Sequence, residues 1–167
     1  EAGRFGVGNF FLPADSAQHD RAEALVTETL AEHGLDILLR RDLPVNNDAI
    51  GARAVKWQLP IVQWVFAVPD GLSPQAADTR IHRALLDIEA VAYTVPELDG
   101  LYPLSLSART QVFKGRLNSW EIIPYFADLS DPAHAVHTMY FHTRFSTNTD
   151  PHPTMAQPFR LMAHNGE

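Results

Sequence analysis

The chain has 167 residues, of which 46% are hydrophobic, a formal net charge of −7 and no cysteine. This length and apolar content suffice for one core, so we predict a single domain over residues 1–167. The acidic balance argues against nucleic acid and anionic membranes as partners. Without cysteine the chain holds no disulfide, thiolate nucleophile or cysteine-ligated zinc or iron–sulfur cluster. Because no apolar run reaches bilayer length and no signal peptide is evident, we expect a soluble, cytoplasmic protein.

The first half of the sequence alternates predicted strands and helices. Short apolar runs predict strands over Phe5–Leu12, Leu35–Arg41 and Ile61–Val68. A helix is predicted over Ser16–His33, with Asp15 as its cap and Gly34 as the left-handed residue after it. A second helix is predicted after the cap Ser73, with Pro74 at its first position and an apolar stripe running to Val91. The stretch before Pro60 gives no clear signal.

The second half predicts mostly strands joined by turns. The predicted elements are a hairpin of Leu101–Thr110 with Gln111–Gly115, a short helix over Trp120–Phe126, a turn at Asp128–Pro132, and strands over Val136–Arg144 and Phe159–His164. Strands interrupted by long helices argue against an all-β barrel. The pattern therefore predicts an α/β or α+β sandwich.

Two polar segments at predicted strand ends carry the chemistry. In 143–149, Arg144 places a guanidinium beside hydroxyl and amide groups, a set suited to a carboxylate ligand. In 164–167, the Asn165 amide and the Gly166 backbone N–H can aim two donors at one oxygen, as an oxyanion hole requires. Each has a plainer interpretation. Arg144 could form a surface ion pair, which composition alone favours, and Asn-Gly is first a turn signal.

The histidines do not predict a metal site. Five of the eight lie in the last third of the chain. On the strand predicted there, His137 and His142 would face opposite ways, and the sequence has neither a His-x-x-x-His pair nor an HExxH motif. We therefore expect no metal in this chain.

Taken in order along the chain, several segments resemble one family: the class II glutamine amidotransferase domain that begins the large subunit of glutamate synthase. The resemblance covers almost the whole chain, and the spacing of its last two segments is its most distinctive part. The segments are Phe5–Gly8 with Phe11–Pro13, Arg41–Asn46, Ser105–Thr110 with Val112–Gly115, Arg144–Thr149, and Ala156–Arg160 running to His164–Glu167.

The resemblance implies an α+β fold of the N-terminal-nucleophile hydrolase type, a four-layer α/β/β/α sandwich. It implies hydrolysis of glutamine to glutamate and ammonia, which passes to a synthase domain of the same parent chain. In that family an N-terminal cysteine is the nucleophile and its own α-amino group the base. By the motif match, Arg144 would hold the α-carboxylate of glutamine, with Thr147 and the Asn148 backbone beside it. Asn165 and Gly166 would stabilise the oxyanion, while FMN and an iron–sulfur cluster would bind elsewhere in the parent.

The sequence departs from the family in lacking the cysteine. Since the interior motifs are intact, we interpret the chain as a partial domain cut at both ends, with an incomplete fold and no activity by itself. The acid that holds the substrate's amino group would also lie outside it. An alternative from another class is a non-catalytic amino-acid-binding or interaction module on the same fold, with Arg144 as the ligand clamp. A cysteine encoded upstream would favour the enzyme.

Overall fold

A computed structural model describes residues 4–143, 148 and 152–159 of the chain. These residues form two compact units. One comprises the described parts of Glu1–Leu43 and Leu59–Phe113, and the other those of Pro44–Gln58 and Lys114–Glu167. The single domain expected over residues 1–167 stays a prediction.

The first unit contains one antiparallel sheet. Its strands are β1 (Phe5–Phe11), β2 (Ile37–Asp42), β3 (Ile61–Ala67) and β4 (Tyr102–Ser107). They lie in the order β2-β3-β1-β4, so the first strand in sequence is central. All four were predicted within two or three residues of their bounds, and the α+β class is confirmed.

Five α-helices are described, and only two are long. They are α1 (Ser16–Glu32), α2 (Ala52–Val55), α3 (Pro74–Ala92), α4 (Ile122–Tyr125) and α5 (Ala127–Ser130). Short 3₁₀ turns lie at Asn47–Ala49, Pro96–Leu98 and Pro153–Met155. None of the helices in the described ranges is long and apolar enough to cross a membrane.

The caps predicted for the long helices are confirmed. The Asp15 carboxylate accepts the backbone N–H groups of Ala17 and Gln18, each at 3.1 Å, and so satisfies donors that the first turn leaves open. Gly34 follows α1 with a φ of +65°, a conformation that glycine adopts without steric cost. The Ser73 hydroxyl accepts from the Ala76 N–H at 3.2 Å, with Pro74 at the first position of α3.

One face of the sheet packs against α1 and α3. Phe10 and Trp64 meet edge to face on it, with ring centroids 5.4 Å apart, and both are fully buried. Two glycines in β1 make room for this layer, since a Cβ on Gly6 would lie 2.3 Å from the Phe66 ring and one on Gly8 2.6 Å from the Phe10 ring. The Phe-Gly-Val-Gly pattern is therefore a packing requirement.

The other face of the sheet carries a polar row across all four strands. Asn9 of β1 is paired in register with Gln63 of β3 and Ser105 of β4, and Arg41 of β2 is paired with Gln63. The Asn9 Oδ1 accepts from Gln63 Nε2 at 2.9 Å, and the Gln63 Oε1 accepts from Arg41 Nε at 2.8 Å. Asn9 and Gln63 are buried, so these bonds offset the cost of removing their amides from water.

The row also holds the chain that follows β4. Asn9 Nδ2 donates to the Val112 carbonyl at 3.0 Å, and the Val112 N–H donates to the Ser105 hydroxyl at 3.1 Å. The Ser107 hydroxyl accepts the N–H groups of Arg109 and Thr110. The predicted hairpin with Gln111–Gly115 is therefore wrong: these side chains bind backbone groups that a second strand would have used, and β4 pairs with β1 instead.

The second unit contains an isolated strand-like contact and two short helices, α4 and α5. Val45 forms an isolated antiparallel bridge with Phe126, and the Asn46 N–H donates to the Tyr125 carbonyl at 2.7 Å. The short helix predicted over 120–126 is present as α4. The turn predicted at 128–132 is partly wrong, since α5 occupies 127–130 and the Ser130 hydroxyl bonds back to the Ile123 carbonyl at 2.8 Å.

The strand predicted over Val136–Arg144 is wrong for its described part. Residues 136–143 form no strand, and Tyr140 is 93% exposed. A strand is held by ladder hydrogen bonds to a neighbour, and no strand in the described ranges pairs with this segment. The opposite facing inferred for His137 and His142 therefore loses its basis. Of the strand predicted over Phe159–His164, only Phe159 is described, outside any strand, and the remainder lies beyond the described residues.

Candidate functional site

Most of the predicted site residues lie outside the described ranges. These are Arg144, Thr147, Asn165 and Gly166. Asn148 is described and lies at an exposed bend. The predicted convergence of the Arg144 guanidinium with the Asn165 and Gly166 donors therefore stays a prediction. What the structure adds is the setting of the chain that leads to 160–167.

Lys114 is the most unusual polar residue of the second unit. Its side chain is only 6% exposed, and its Nζ donates to the Ala156 carbonyl at 2.6 Å. The same ammonium lies 5.5 Å from the centroid of the Phe159 ring, within the range of a cation–π contact. Both contacts fall in the Ala156–Phe159 part of a segment that the sequence had singled out.

Removal from water changes the acidity of this lysine. Burial lowers the pKa of Lys114 from its ordinary 10.5 to about 8, because desolvation penalises the charged form. The carbonyl and the ring face return part of the lost solvation to the ammonium. Lys114 is thus a buried cation directed at a backbone carbonyl.

The residues just before Ala156 form an ordered turn. The Thr154 N–H donates to His152 Nδ1 at 3.3 Å, which caps the 3₁₀ turn Pro153–Met155, and the Ala156 N–H closes it on the Pro153 carbonyl at 3.2 Å. Pro153 is buried, and the peptide bond that follows Gln157 is cis. Lys114 therefore contacts the chain at the residue where this turn ends.

The chain around Arg116 has its own local support. Gln58 Nε2 donates to the Arg116 carbonyl at 3.3 Å and to the Ala54 carbonyl at 3.0 Å, which links α2 to the residues after Lys114. The Arg116 guanidinium stacks over the Trp57 ring, 4.9 Å from its centroid. These contacts hold the backbone on the C-terminal side of Lys114.

Sequence reasoning quoted Lys114 only as part of a motif and gave it no role. The one feature of the sequence that could have drawn attention to Lys114 is the rarity of lysine, since Lys56 and Lys114 are the only lysines in the chain. A lysine after Val-Phe is no sign of burial by itself, because such side chains usually extend their ammonium to solvent. His152, one of the five histidines in the last third of the chain, caps a turn. Among the described residues, no three His, Asp or Glu side chains cluster as a metal site would require.

Comparison with known proteins identifies the family. The sequence matches the class-II glutamine amidotransferases from residue 1 to residue 167. The chain therefore belongs to this family of enzymes.

Individual relatives confirm the resemblance to glutamate synthase. The chain is 34% identical over 98% of its length to ferredoxin-dependent glutamate synthase 2 of Synechocystis, and 36% identical over 97% to the chloroplastic ferredoxin-dependent enzyme of rice, Oryza sativa. It is 32% identical over 98% to the glutamate synthase [NADPH] large chain of Azospirillum brasilense. It spans only 10% or 11% of the length of these relatives.

Proposed function

We propose that this chain is the glutaminase part of a glutamate synthase and hydrolyses glutamine to glutamate and ammonia within a longer parent protein. The observation that carries the proposal is the family match over residues 1–167, which includes both polar segments. Relatives named as glutamate synthases extend it to that enzyme. Ammonia would be used by synthase domains of the parent. FMN and an iron–sulfur cluster would belong to those domains, since this chain has no cysteine to ligate a cluster.

The proposed chemistry needs a nucleophile that these 167 residues do not contain. A cysteine thiolate elsewhere in the parent would attack the side-chain carbonyl carbon of glutamine and form a tetrahedral oxyanion. The C–N bond would then break, and the departing nitrogen would take a proton and leave as ammonia. Water would hydrolyse the thioester to glutamate and free the thiol. Residues 1–167 alone would then be inactive.

Within this scheme the chain supplies binding and charge stabilisation. Arg144 would pair with the α-carboxylate of glutamine, since a guanidinium and a carboxylate match in a two-point contact. Thr147 and the Asn148 backbone would lie beside it. Asn165 Nδ2 and the Gly166 N–H would donate to the oxyanion, which exists only after attack. Arg144 and its neighbours would thus act on substrate binding, whereas Asn165 and Gly166 would act on the chemical step.

We also propose that the described sheet is one inner layer of the four-layer sandwich typical of this fold. The support is burial on both faces of the two central strands, β1 and β3. Phe10 and Trp64 are buried on the face that α1 and α3 cover, and Phe11 and Asn9 are buried on the opposite face. A sheet with one solvated face would instead alternate buried and exposed side chains.

We further propose that the protein is located in the cytoplasm. The names of the plant relatives describe those proteins as chloroplastic, and that location is not carried over to this chain.

Steady-state glutaminase kinetics of the parent protein test the role of Arg144. Arg144→Met is expected to raise KM about a hundredfold, because a two-point contact to a carboxylate contributes a few kcal/mol to binding. Arg53→Met, at an exposed position of α2, is the matched control and should leave KM unchanged.

The same assay separates the oxyanion donor from the clamp. Asn165→Ala is expected to lower kcat about a hundredfold with a smaller change in KM, because the lost donor acts on the transition state. Asn47→Ala at an exposed site is its control. Glutaminase activity in the 167 residues alone would refute the need for a nucleophile elsewhere in the parent, and unchanged kinetics in both site variants would refute the roles of Arg144 and Asn165.

A further inference from the structure

We propose that Lys114 is a positioning residue for glutamine hydrolysis, which acts by holding the backbone at Ala156, upstream in the sequence of the proposed oxyanion donors Asn165 and Gly166. The inference rests on the proposed function for the roles of those two residues. The inference adds Lys114 to the residues that serve the reaction. Lys114 would not touch the substrate and would act through the backbone that it holds.

The first support is the geometry of the contact. A lysine on the surface extends its ammonium into water and exchanges partners freely. Lys114 instead is buried and donates to a defined backbone acceptor, the Ala156 carbonyl, at 2.6 Å. The Phe159 ring lies on the same ammonium, so two points of the segment, three residues apart, contact a single side chain. A two-point contact fixes a chain better than one bond does.

The second support is the choice of residue. A buried cation is costly, and a methionine of similar length would fill the same space without a desolvation penalty. Hydrogen bonds from charged donors are about twice as strong as neutral ones, and their strength increases as water is excluded. A lysine here is thus a poor choice for packing and a good one for fixing a carbonyl.

The third support is the position of the contact along the chain. Ala156 closes the turn that His152 begins, so the backbone on its N-terminal side is already held. In sequence, Asn165 comes six residues after Phe159 and nine after Ala156. A misplacement of about 1 Å can cost a hundredfold in rate.

The test is glutaminase kinetics of the parent protein with Lys114→Met. Loss of the anchor should lower kcat at least about tenfold and change KM by less than about twofold, because donors to the oxyanion act after binding. Lys114→Arg keeps the charge and N–H donors and should restore kcat to within about threefold of wild type. Lys56→Met, on an exposed lysine, is the matched control and should match the wild type.

A milder variant keeps the test valid if Lys114→Met fails to fold. Phe159→Leu removes the ring beside the ammonium at a partly exposed site and should lower kcat about threefold, the size of one cation–π contact. Circular dichroism and melting temperature report the folding of each variant.

The outcomes separate this inference from the proposed function. If Asn165→Ala lowers kcat while folded Lys114→Met and Phe159→Leu do not, the role of Lys114 is refuted and the glutaminase assignment stands. An increase in KM with unchanged kcat, or no recovery in Lys114→Arg, also refutes it. If the wild-type parent hydrolyses no glutamine, both proposals fall.

Discussion

At the residue scale, the chain carries a lysine whose charge is unfavourable where it lies. Burial lowers the pKa of Lys114 to about 8, while in an unfolded chain a lysine keeps its ordinary value of 10.5. The difference means that the folded chain releases this proton at a lower pH than the unfolded chain does. The stability of the fold therefore depends on pH through this side chain.

The sign of that dependence can be predicted. Below about pH 8, Lys114 is charged in both states and the cost of its burial is fully present. Between there and pH 10.5 the unfolded chain holds a proton that the folded chain has lost, so the free energy of unfolding rises with pH. Relative to Lys114→Met, the wild type should gain up to about 1.4 kcal/mol per pH unit in this window.

Urea unfolding at several values from pH 7 to pH 10.5 measures this difference. Lys56→Met supplies the comparison with an exposed lysine and should follow the wild type over the same range. A constant difference between wild type and Lys114→Met would contradict burial of the charged group.

At the element scale, the polar row explains how the sheet keeps a unique register on its second face. Asn9 and Gln63 bond to each other, and Asn9 also bonds to the Val112 carbonyl. A slip of one residue would carry Asn9 to the helix-covered face and leave these amides without each other. The pair therefore contributes specificity as well as stability.

A double-mutant cycle tests the row. Asn9→Leu removes the partner of the buried Gln63 amide and of the partly buried Val112 carbonyl, so it should cost about 2–4 kcal/mol of unfolding free energy. Gln63→Leu should cost a similar amount. Each single change leaves a polar group of the other residue without its hydrogen-bond partner. The double variant should therefore lose at least about 1 kcal/mol less unfolding free energy than the sum of the losses in the two single variants. Gln75→Leu, at an exposed position of α3, is the control, and additive losses in urea unfolding would contradict the coupling.

Elements specified by local signals could be predicted from the sequence. The helices α1 and α3 follow from their caps and apolar stripes, and the central strands from short apolar runs between turns. The segments that failed depend on partners distant in sequence. The Ser105 hydroxyl binds Val112 where a hairpin was expected, and 136–143 has the composition of a strand without a paired neighbour in the described ranges.

The polar segments with Arg144 and Asn165 were singled out by residue type and order, because guanidinium and paired N–H donors suit particular chemistry, and their roles stay predictions. Lys114 could not be found, since its meaning lies in a contact with Ala156, which is 42 residues away. Sequence patterns identify chemical groups, whereas burial and long-range contacts depend on the fold.

At the scale of the whole molecule, the central claim is that two parts of the chain act on one small amide substrate. The chain belongs to the class-II glutamine amidotransferases, and its long relatives are glutamate synthases. The proposed clamp, Arg144, and the proposed oxyanion donors, Asn165 and Gly166, are separated by about twenty residues in sequence, so only the fold could bring them to one ligand.

A crystal structure of the parent protein with bound glutamate tests this claim most directly. The account predicts the Arg144 guanidinium about 3 Å from the α-carboxylate, and the Asn165 amide and Gly166 N–H directed at the side-chain carboxyl group that replaces the amide. A glutamate bound elsewhere, or Arg144 and Asn165 on opposite sides of the domain with no ligand in common, would contradict it.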